Sequence, residues 1–138
     1  MKNISLKIHH KMKEFKTINN AILQINLKNI EKNYYYLKKN APNAIIAACV
    51  KANSYGLGNN EICKALYKKN CRDFFVATLE EALLLRRKYK YVNIYMLNGV
   101  NHLESFLDAF NSNIIPVINN VEQFLILKNF FKINKKKN

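Results

Sequence analysis

Apolar and polar positions along the chain follow two periods, one typical of buried strands and one typical of amphipathic helices. Continuous apolar runs predict short strands at 21–27, 44–50, 73–77, 92–97 and 113–118. Helical spacing of apolar residues predicts helices at about 28–40, 60–69, 79–89, 102–111 and 120–131. The run at 44–50 is apolar on both faces, which is typical of a strand in a parallel sheet that is covered on both sides.

The predicted helices carry apolar faces that indicate how they pack. Asn26 is expected to cap the first helix, because a short amide side chain there can accept an N–H bond. The inward residues of the second helix are expected to be Ile62, Ala65 and Leu66. The helix at 102–111 has apolar residues at i, i+3, i+4 and i+7, namely Leu103, Phe106, Leu107 and Phe110. The helix at 120–131 is expected to pack through Val121, Phe124, Leu125 and Phe131.

Four consecutive strand–helix units dominate this pattern. Their strands end near residues 51, 77, 97 and 118, and such alternation predicts a parallel α/β sheet. No Gly-x-Gly-x-x-Gly or Walker-type loop follows any strand, which argues against a nucleotide-binding doubly wound sheet. A (β/α)8 TIM-type barrel needs about 250 residues. We therefore predict parallel βα repeats that form about half of such a barrel.

Charge modifies the picture mainly at the two ends of the chain. The formal net charge is +14, but residues 1–18 carry +4 of it and residues 128–138 carry +5. We interpret 1–20 as a basic N-terminal extension, 21–127 as the half-barrel and 128–138 as a Lys-rich tail. Only three Arg are present, whereas a nucleic-acid binding surface usually interleaves Arg with aromatic residues. A nucleic-acid partner would therefore rest on net charge alone, and we expect none.

The remaining composition bears on compartment and cofactors. The sequence contains no run of about 18 apolar residues of the kind that spans a membrane, so no membrane partner is expected. Residues 1–20 lack the apolar segment of a secretory signal, and the three Cys form no close pair. These features predict a cytoplasmic protein without a disulfide framework or a metal site.

Lys51 is the residue that stands out chemically. It ends a strand that is otherwise apolar, and alternation places it on one face with Cys49 and Ala47, while Val50 points the other way. In a barrel that face would be the interior, and Lys51 would lie at the carboxyl mouth, where barrel enzymes keep their active sites. A partly desolvated amine suits attack on a carbonyl compound. The alternative is that Lys51 marks the strand end and reaches into solvent.

The segment around Lys51 resembles a known family. Its sequence AACVKANSYGLG, at 47–58, is similar to the pyridoxal-phosphate signature of alanine racemases, A-V-V-K-A-(N/D)-A-Y-G-H-G. Further blocks resemble the same family in the same order, namely Ile25-Asn26-Leu27 with Asn33, Phe75-Val76-Ala77 with Leu79-Glu80-Glu81-Ala82 and Leu85-Arg86, and Ile94-Tyr95-Met96-Leu97-Asn98-Gly99.

The resemblance implies an amino-acid racemase that uses pyridoxal 5′-phosphate and interconverts L- and D-alanine, supplying D-alanine for the cell wall. Lys51 would bond the cofactor covalently and act as one of two catalytic bases. Tyr55 would hydrogen-bond the cofactor phosphate, and Cys49 and Leu97 would line its ring. The alternative for Cys49 is that it is simply a small buried apolar residue. The alternative for Leu97 is that it only packs in the core.

The resemblance also implies parts that this sequence lacks. In the family the second base, a tyrosine, and the arginines for ring nitrogen and substrate carboxylate lie beyond the position of Asn138. Leu57 replaces the family histidine, and Asn26 replaces an aspartate. We expect a truncated or split racemase, inactive alone, that works as a homodimer or with a separate C-terminal half. The alternatives are a non-catalytic barrel remnant and a cofactor-binding regulatory barrel.

Overall fold

The structure, a computed structural model, describes residues 22–134 and contains alternating helices and strands. The predicted extension at 1–20 and residues 135–138 lie outside the described residues. The elements, in chain order, are α1 (Leu27–Asn40), β1 (Ala48–Cys49), α2 (Lys51–Tyr55), α3 (Asn59–Lys68), β2 (Asp73–Val76), α4 (Leu79–Lys88), β3 (Asn93–Met96), α5 (Leu103–Asn111), β4 (Ile115–Pro116) and α6 (Val121–Asn134).

The four strands form one parallel sheet in the order β1-β2-β3-β4. Each strand pairs with the next one along the chain, so the connections all run in the same sense, as in a barrel. The registers align Cys49, Phe75, Tyr95 and Ile115 in one row across the sheet. The predicted parallel α/β arrangement is confirmed.

The strand predicted at 21–27 does not form over residues 22–26. Ile22 and Leu23 are 91% and 72% exposed, so this apolar run is not packed against the sheet. Instead Asn26 adopts extended backbone angles, and its side chain accepts a hydrogen bond from the Asn29 N–H at 3.3 Å. The run therefore serves as the lead-in to α1, and the predicted cap at Asn26 is confirmed.

The face of the sheet turned towards the helices holds the core. Phe74, Val76, Ile94 and Met96 are buried there. The predicted inward residues of α3 are buried against them, namely Ile62, Ala65 and Leu66. The opposite face, called the inner face below, carries the row of Cys49, Phe75, Tyr95 and Ile115 and is more open to solvent.

The packing predicted for α5 and α6 is largely wrong. Phe106 is buried as expected, and its ring packs on Phe130 with the centroids 4.7 Å apart. The helix α6 buries Gln123 and Phe130 rather than its predicted face. The other predicted contacts stay at least a third exposed, namely Leu103, Leu107, Phe110, Val121, Phe124, Leu125 and Phe131. Phe110 and Phe131 still make ring contacts with Phe130 and Phe106 across the two helices, and the remaining side chains leave apolar surface exposed within residues 22–134.

Arg86 fixes the amino-terminal side of the sheet. Its guanidinium donates to the carbonyl oxygens of Val92, before β3, and of Ser112 and Asn113, before β4, at 2.6–3.0 Å. Burial lowers the pKa of this guanidinium. The contacts set the spacing of the last two strands at the end remote from Lys51. No helix in the described part of the chain is long and apolar enough to cross a membrane.

Candidate active site at the carboxyl rim

Lys51 lies at the carboxyl rim of the sheet, two residues after the last residue of β1 rather than at the strand end predicted for it. The strand β1 ends at Cys49, and Lys51 is the first residue of α2. Between them, the Val50 N–H donates to the Phe75 carbonyl at 2.8 Å, and its side chain is buried on the helix side. Lys51 itself is half-buried. The predicted division of Cys49 and Val50 between the two faces agrees with the structure.

The short element α2 is a left-handed turn. Residues Ala52, Asn53, Ser54 and Tyr55 have φ angles of 50°, 54°, 55° and 55°. Residues other than glycine are disfavoured in this left-handed region of backbone angles, because their Cβ approaches the following carbonyl oxygen. The Ser54 N–H donates to the Val50 carbonyl at 3.0 Å, and the Gly56 N–H donates to the Ala52 carbonyl at 2.9 Å. The turn therefore reverses the chain immediately after Lys51.

Because of this reversal, Tyr55 returns to the end of β1. Its hydroxyl donates a hydrogen bond to the Cys49 Sγ at 3.2 Å, although its side chain is 62% exposed. This hydrogen bond is the main reason that the pKa of the Tyr55 hydroxyl is raised, with a smaller contribution from desolvation. The structure thus brings Tyr55 and Cys49 together on the inner face, next to Lys51 in the chain.

The inner face below this rim is partly aromatic. The rings of Phe75 and Tyr95 stack with their centroids 4.8 Å apart. The Tyr95 hydroxyl donates to the buried Asp73 carboxylate at 3.1 Å, and desolvation, followed by this bond, raises the pKa of Tyr95. Leu97, half-buried, follows β3, and its N–H donates to the Val76 carbonyl at 2.9 Å. Within residues 22–134, the backbone of Leu97 hydrogen-bonds Val76 and Asn119, and no hydrogen bond links Leu97 to Lys51 or Tyr55.

Polar side chains anchor the left-handed turn to α3. Ser54 is buried and hydrogen-bonds the Asn59 side chain. The Asn53 side chain accepts from the Asn59 N–H at 2.8 Å. Leu57, which stands where the family has histidine, packs against the hydrophobic core. Cys49 is exposed, whereas Cys63 and Cys71 are the buried thiols, so the small buried role left open for Cys49 does not hold here.

Two side chains to which the sequence analysis assigned no role connect neighbouring loops at this rim. Glu81 accepts from the Ala52 N–H at 2.7 Å and from the Ala77 N–H at 2.8 Å; we call this the Glu81 bridge. Gln123 accepts from the Asn119 N–H at 2.9 Å and donates to the Asn98 carbonyl at 2.9 Å; we call this the Gln123 bridge. Each lies three residues after a capping side chain, Thr78 or Asn120, a spacing that could have identified both.

The fold and the rim define a class of protein. Parallel βα units with an amine, a phenol and an open inner face at the carboxyl ends of the strands are the half-barrel form of the α/β-barrel enzymes, which keep their chemistry at this rim. Within residues 22–134, no group of three or more His, Cys, Asp or Glu side chains is placed to hold a metal ion.

The chain belongs to the alanine racemase family. The description of the matching family is "Alanine racemase, N-terminal domain", and the match covers residues 25–137. The alanine racemase of Rickettsia prowazekii is 43% identical over 115 residues, which are 83% of this chain and 28% of that protein. That of Rickettsia akari is 44% identical over 109 residues, or 78% of this chain and 30% of that protein. The family resemblance is confirmed.

Solved structures agree with this assignment. Alanine racemase from Bartonella henselae, with covalently bound pyridoxal phosphate, matches with a TM-score of 0.72 and 37% identity, over 82% of this chain and 31% of that one. Alanine racemase from Acinetobacter baumannii matches with a TM-score of 0.72 and 28% identity, over 78% of this chain and 32% of that one. The chain therefore spans about a third of these relatives or less, and it corresponds to part of their barrel.

Proposed function

We propose that the chain is the cofactor-binding part of an alanine racemase and that Lys51 bonds pyridoxal 5′-phosphate. The observation that carries this proposal is the left-handed turn after Lys51, which returns the Tyr55 hydroxyl to within 3.2 Å of the Cys49 Sγ at the strand end. An amine and a phenol thereby share one rim of the inner face. The family and the cofactor in the Bartonella henselae relative support the assignment.

The residues present fit such a cofactor. An aldehyde requires an amine, which Lys51 supplies, and a phosphate requires donors, which the exposed Tyr55 hydroxyl supplies once it leaves Cys49. An aromatic cofactor ring requires an apolar floor, for which we propose Cys49 and Leu97 beside the Phe75–Tyr95 stack. These roles follow the family resemblance and agree with the exposure of the inner face.

The proposed chemistry divides between the cofactor and this chain. When bound, the cofactor supplies an electron sink that makes the α-proton of alanine acidic. The Lys51 Nζ removes or returns this proton on one side of the substrate. Inversion requires a base on each side. We propose that the second base, and the groups that recognise the alanine carboxylate, come from protein outside this sequence.

We further propose that more of the barrel covers the open side of this structure. The strand β4 has one paired neighbour within residues 22–134, and Ile115, Val121, Phe124 and Leu125 are 43–67% exposed beside it. Apolar surface of this kind next to a sheet edge is typical of an interface. The covering protein is either a continuation of the chain or a separate C-terminal half, and the complete assembly is a homodimer. Three free cysteines support a reducing compartment, the cytoplasm.

The test of the cofactor site uses the full chain with pyridoxal phosphate, borohydride reduction and peptide mapping. Selective labelling of Lys51 over the other lysines is expected. The variant Lys51→Ala should lose the dominant adduct, and Lys64→Ala, on the exposed side of α3, should keep it. Labelling spread evenly over all lysines would overturn the assignment.

A second test concerns activity. The purified chain should not racemise alanine, and adding the remaining part of a relative such as the Rickettsia prowazekii enzyme should produce racemisation that depends on Lys51. Racemisation by the isolated chain would contradict the proposed division of catalytic groups. A lack of activity in the mixture, with Lys51 labelled normally, would favour a non-catalytic cofactor-binding barrel.

A further inference from the structure

We propose that Glu81 is a positioning residue that holds Lys51 and Tyr55 in register with the sheet. This inference rests on the function proposed above and deepens it. One oxygen of the Glu81 carboxylate accepts from the Ala52 N–H at 2.7 Å, and the other accepts from the Ala77 N–H at 2.8 Å. The carboxylate therefore joins the residue that follows Lys51 to the residue that follows β2.

The turn after Lys51 needs such a connection. Four successive residues without glycine, Ala52 to Tyr55, adopt left-handed backbone angles, each of which is disfavoured for an L-amino acid. The surrounding structure must therefore hold the turn in place. An error in the orientation of this turn would move both Lys51 and Tyr55, since they lie at its two ends.

The other hydrogen bonds of the turn are local. Ser54 and Asn53 connect it to Asn59, and Gly56 connects it to Ala52, all within the first βα unit. Within residues 22–134, the Ala52–Glu81 bond is the only hydrogen bond that joins residues 51–58 to the second unit. The local bonds set the shape of the turn, and the Glu81 bridge sets its direction relative to β2.

Helix capping alone does not account for Glu81. One oxygen, bonded to Ala77, is enough to satisfy the backbone before α4. The other oxygen reaches 29 residues back along the chain to Ala52. The neighbouring Glu80 provides a matched control, because it lies in the same helical turn and is exposed, whereas the Ala52 and Ala77 N–H groups both donate to Glu81.

The experiment compares the full chain with its Glu81→Gln, Glu81→Asp and Glu80→Gln variants. Each is treated with pyridoxal phosphate or with pyridoxal, which lacks the phosphate, then reduced with borohydride and mapped. Lys64 reports background labelling. Amide exchange of Ala52 in the cofactor-free chain reports the bridge directly, and urea unfolding reports the fold.

We expect the wild type and Glu80→Gln to label Lys51 faster with the phosphorylated aldehyde. The preference of Lys51 for the phosphorylated aldehyde should fall by roughly tenfold in Glu81→Gln and in Glu81→Asp, because displacement of Lys51 relative to Tyr55 slows the reaction. The shorter side chain of Glu81→Asp cannot span both N–H groups. Labelling of Lys64 should stay unchanged, and the Ala52 amide should exchange faster in both Glu81 variants.

The outcomes separate this inference from the proposed function. If the wild type does not label Lys51 selectively, the cofactor assignment itself fails. If the wild type is selective and either Glu81 variant keeps the full phosphate preference, the positioning role is overturned. It is also overturned if both aldehydes lose Lys51 labelling equally together with the cooperative urea transition, since that result indicates a general loss of fold.

Discussion

The Glu81 bridge and the Gln123 bridge perform the same task with opposite chemistry. Both side chains occupy the third position of a helix, and both connect that helix to an earlier loop at the carboxyl rim. Glu81 meets two N–H donors, so it needs two acceptors. Gln123 meets one donor, the Asn119 N–H, and two acceptors, the Asn98 carbonyl and the Asn101 side-chain oxygen, so it needs one accepting and one donating group. The polarity of the facing loop therefore selects carboxylate or amide.

The two bridges also differ in their surroundings. Gln123 is 3% exposed, whereas Glu81 is half-buried. The loop held by Gln123 turns at Gly99, where φ is 66° and where an added Cβ would lie 2.5 Å from the Val117 carbonyl oxygen. The turn held by Glu81 reaches left-handed angles without glycine. We infer that the first bridge mainly supports the fold, and the second mainly supports the site.

The largest expected effect comes from Gly99→Ala. The new methyl group would collide with the Gln123 amide and the Val117 carbonyl at an already disfavoured φ, so we expect a loss of about 3 kcal/mol in the free energy of unfolding. Gly56→Ala is the control, because its φ is 81° but nothing lies within 4 Å of the added Cβ. That variant should lose about 1 kcal/mol in urea unfolding. Equal losses would contradict the role of Gln123 packing.

Next in size is Gln123→Glu, which replaces the donor facing Asn98 and Asn101 with an acceptor. We expect a loss of about 2 kcal/mol at neutral pH, because a carboxylate at this buried position faces the Asn98 and Asn101 oxygens without a proton to donate. Burial among oxygens would raise the pKa of the new carboxyl in the folded state, and its acid form can donate. The loss relative to wild type should therefore shrink as the pH falls towards about 4.3. A pH-independent loss would argue against this pairing.

Glu81→Gln should have a smaller effect on stability than Gln123→Glu. The amide keeps one acceptor and turns an NH2 group towards the second N–H, at a half-buried position where water can compensate, so we expect a loss of about 1 kcal/mol in urea unfolding. Glu80→Gln should be near neutral. A loss larger than that of Gln123→Glu would reverse the division between fold and site.

The smallest expected effect comes from Ala52→Gly. Glycine relieves the left-handed strain at φ 50° but increases the entropy of the unfolded chain, so we expect a net gain of about 0.5 kcal/mol. The Ala52 N–H and its bond to Glu81 are retained. Selective labelling of Lys51 should therefore persist, and destabilisation in urea unfolding would indicate that the turn is not strained.

Periodicity alone predicts the order of the βα units and the positions of most helices. It overestimates the strands: the run predicted at 44–50 pairs with β2 only at Ala48 and Cys49, opposite Phe74 and Phe75. It also misjudges the faces of α5 and α6, since a helix buries whichever side has a neighbour. The roles of Cys49, Tyr55 and Leu97 at the cofactor remain predictions from family resemblance.

The bridges show where sequence reasoning stops. The pairs Thr78–Glu81 and Asn120–Gln123 follow a capping pattern that local sequence reveals. Their second partners, Ala52 and Asn98, lie 29 and 25 residues earlier and are backbone groups, which carry no signal of their own. Only the parallel arrangement of adjacent strands brings these loops within reach.

The separation between Ala52 and Glu81 has a consequence for biosynthesis. The ribosome delivers the left-handed turn first and its distant carboxylate 29 residues later. Until that second unit leaves the exit tunnel, the turn has only its local bonds, and the amine that we propose bonds the cofactor has no fixed direction. Under the proposed function, translation thus imposes a delay before a nascent chain can hold Lys51 in register with the sheet for reaction with an aldehyde.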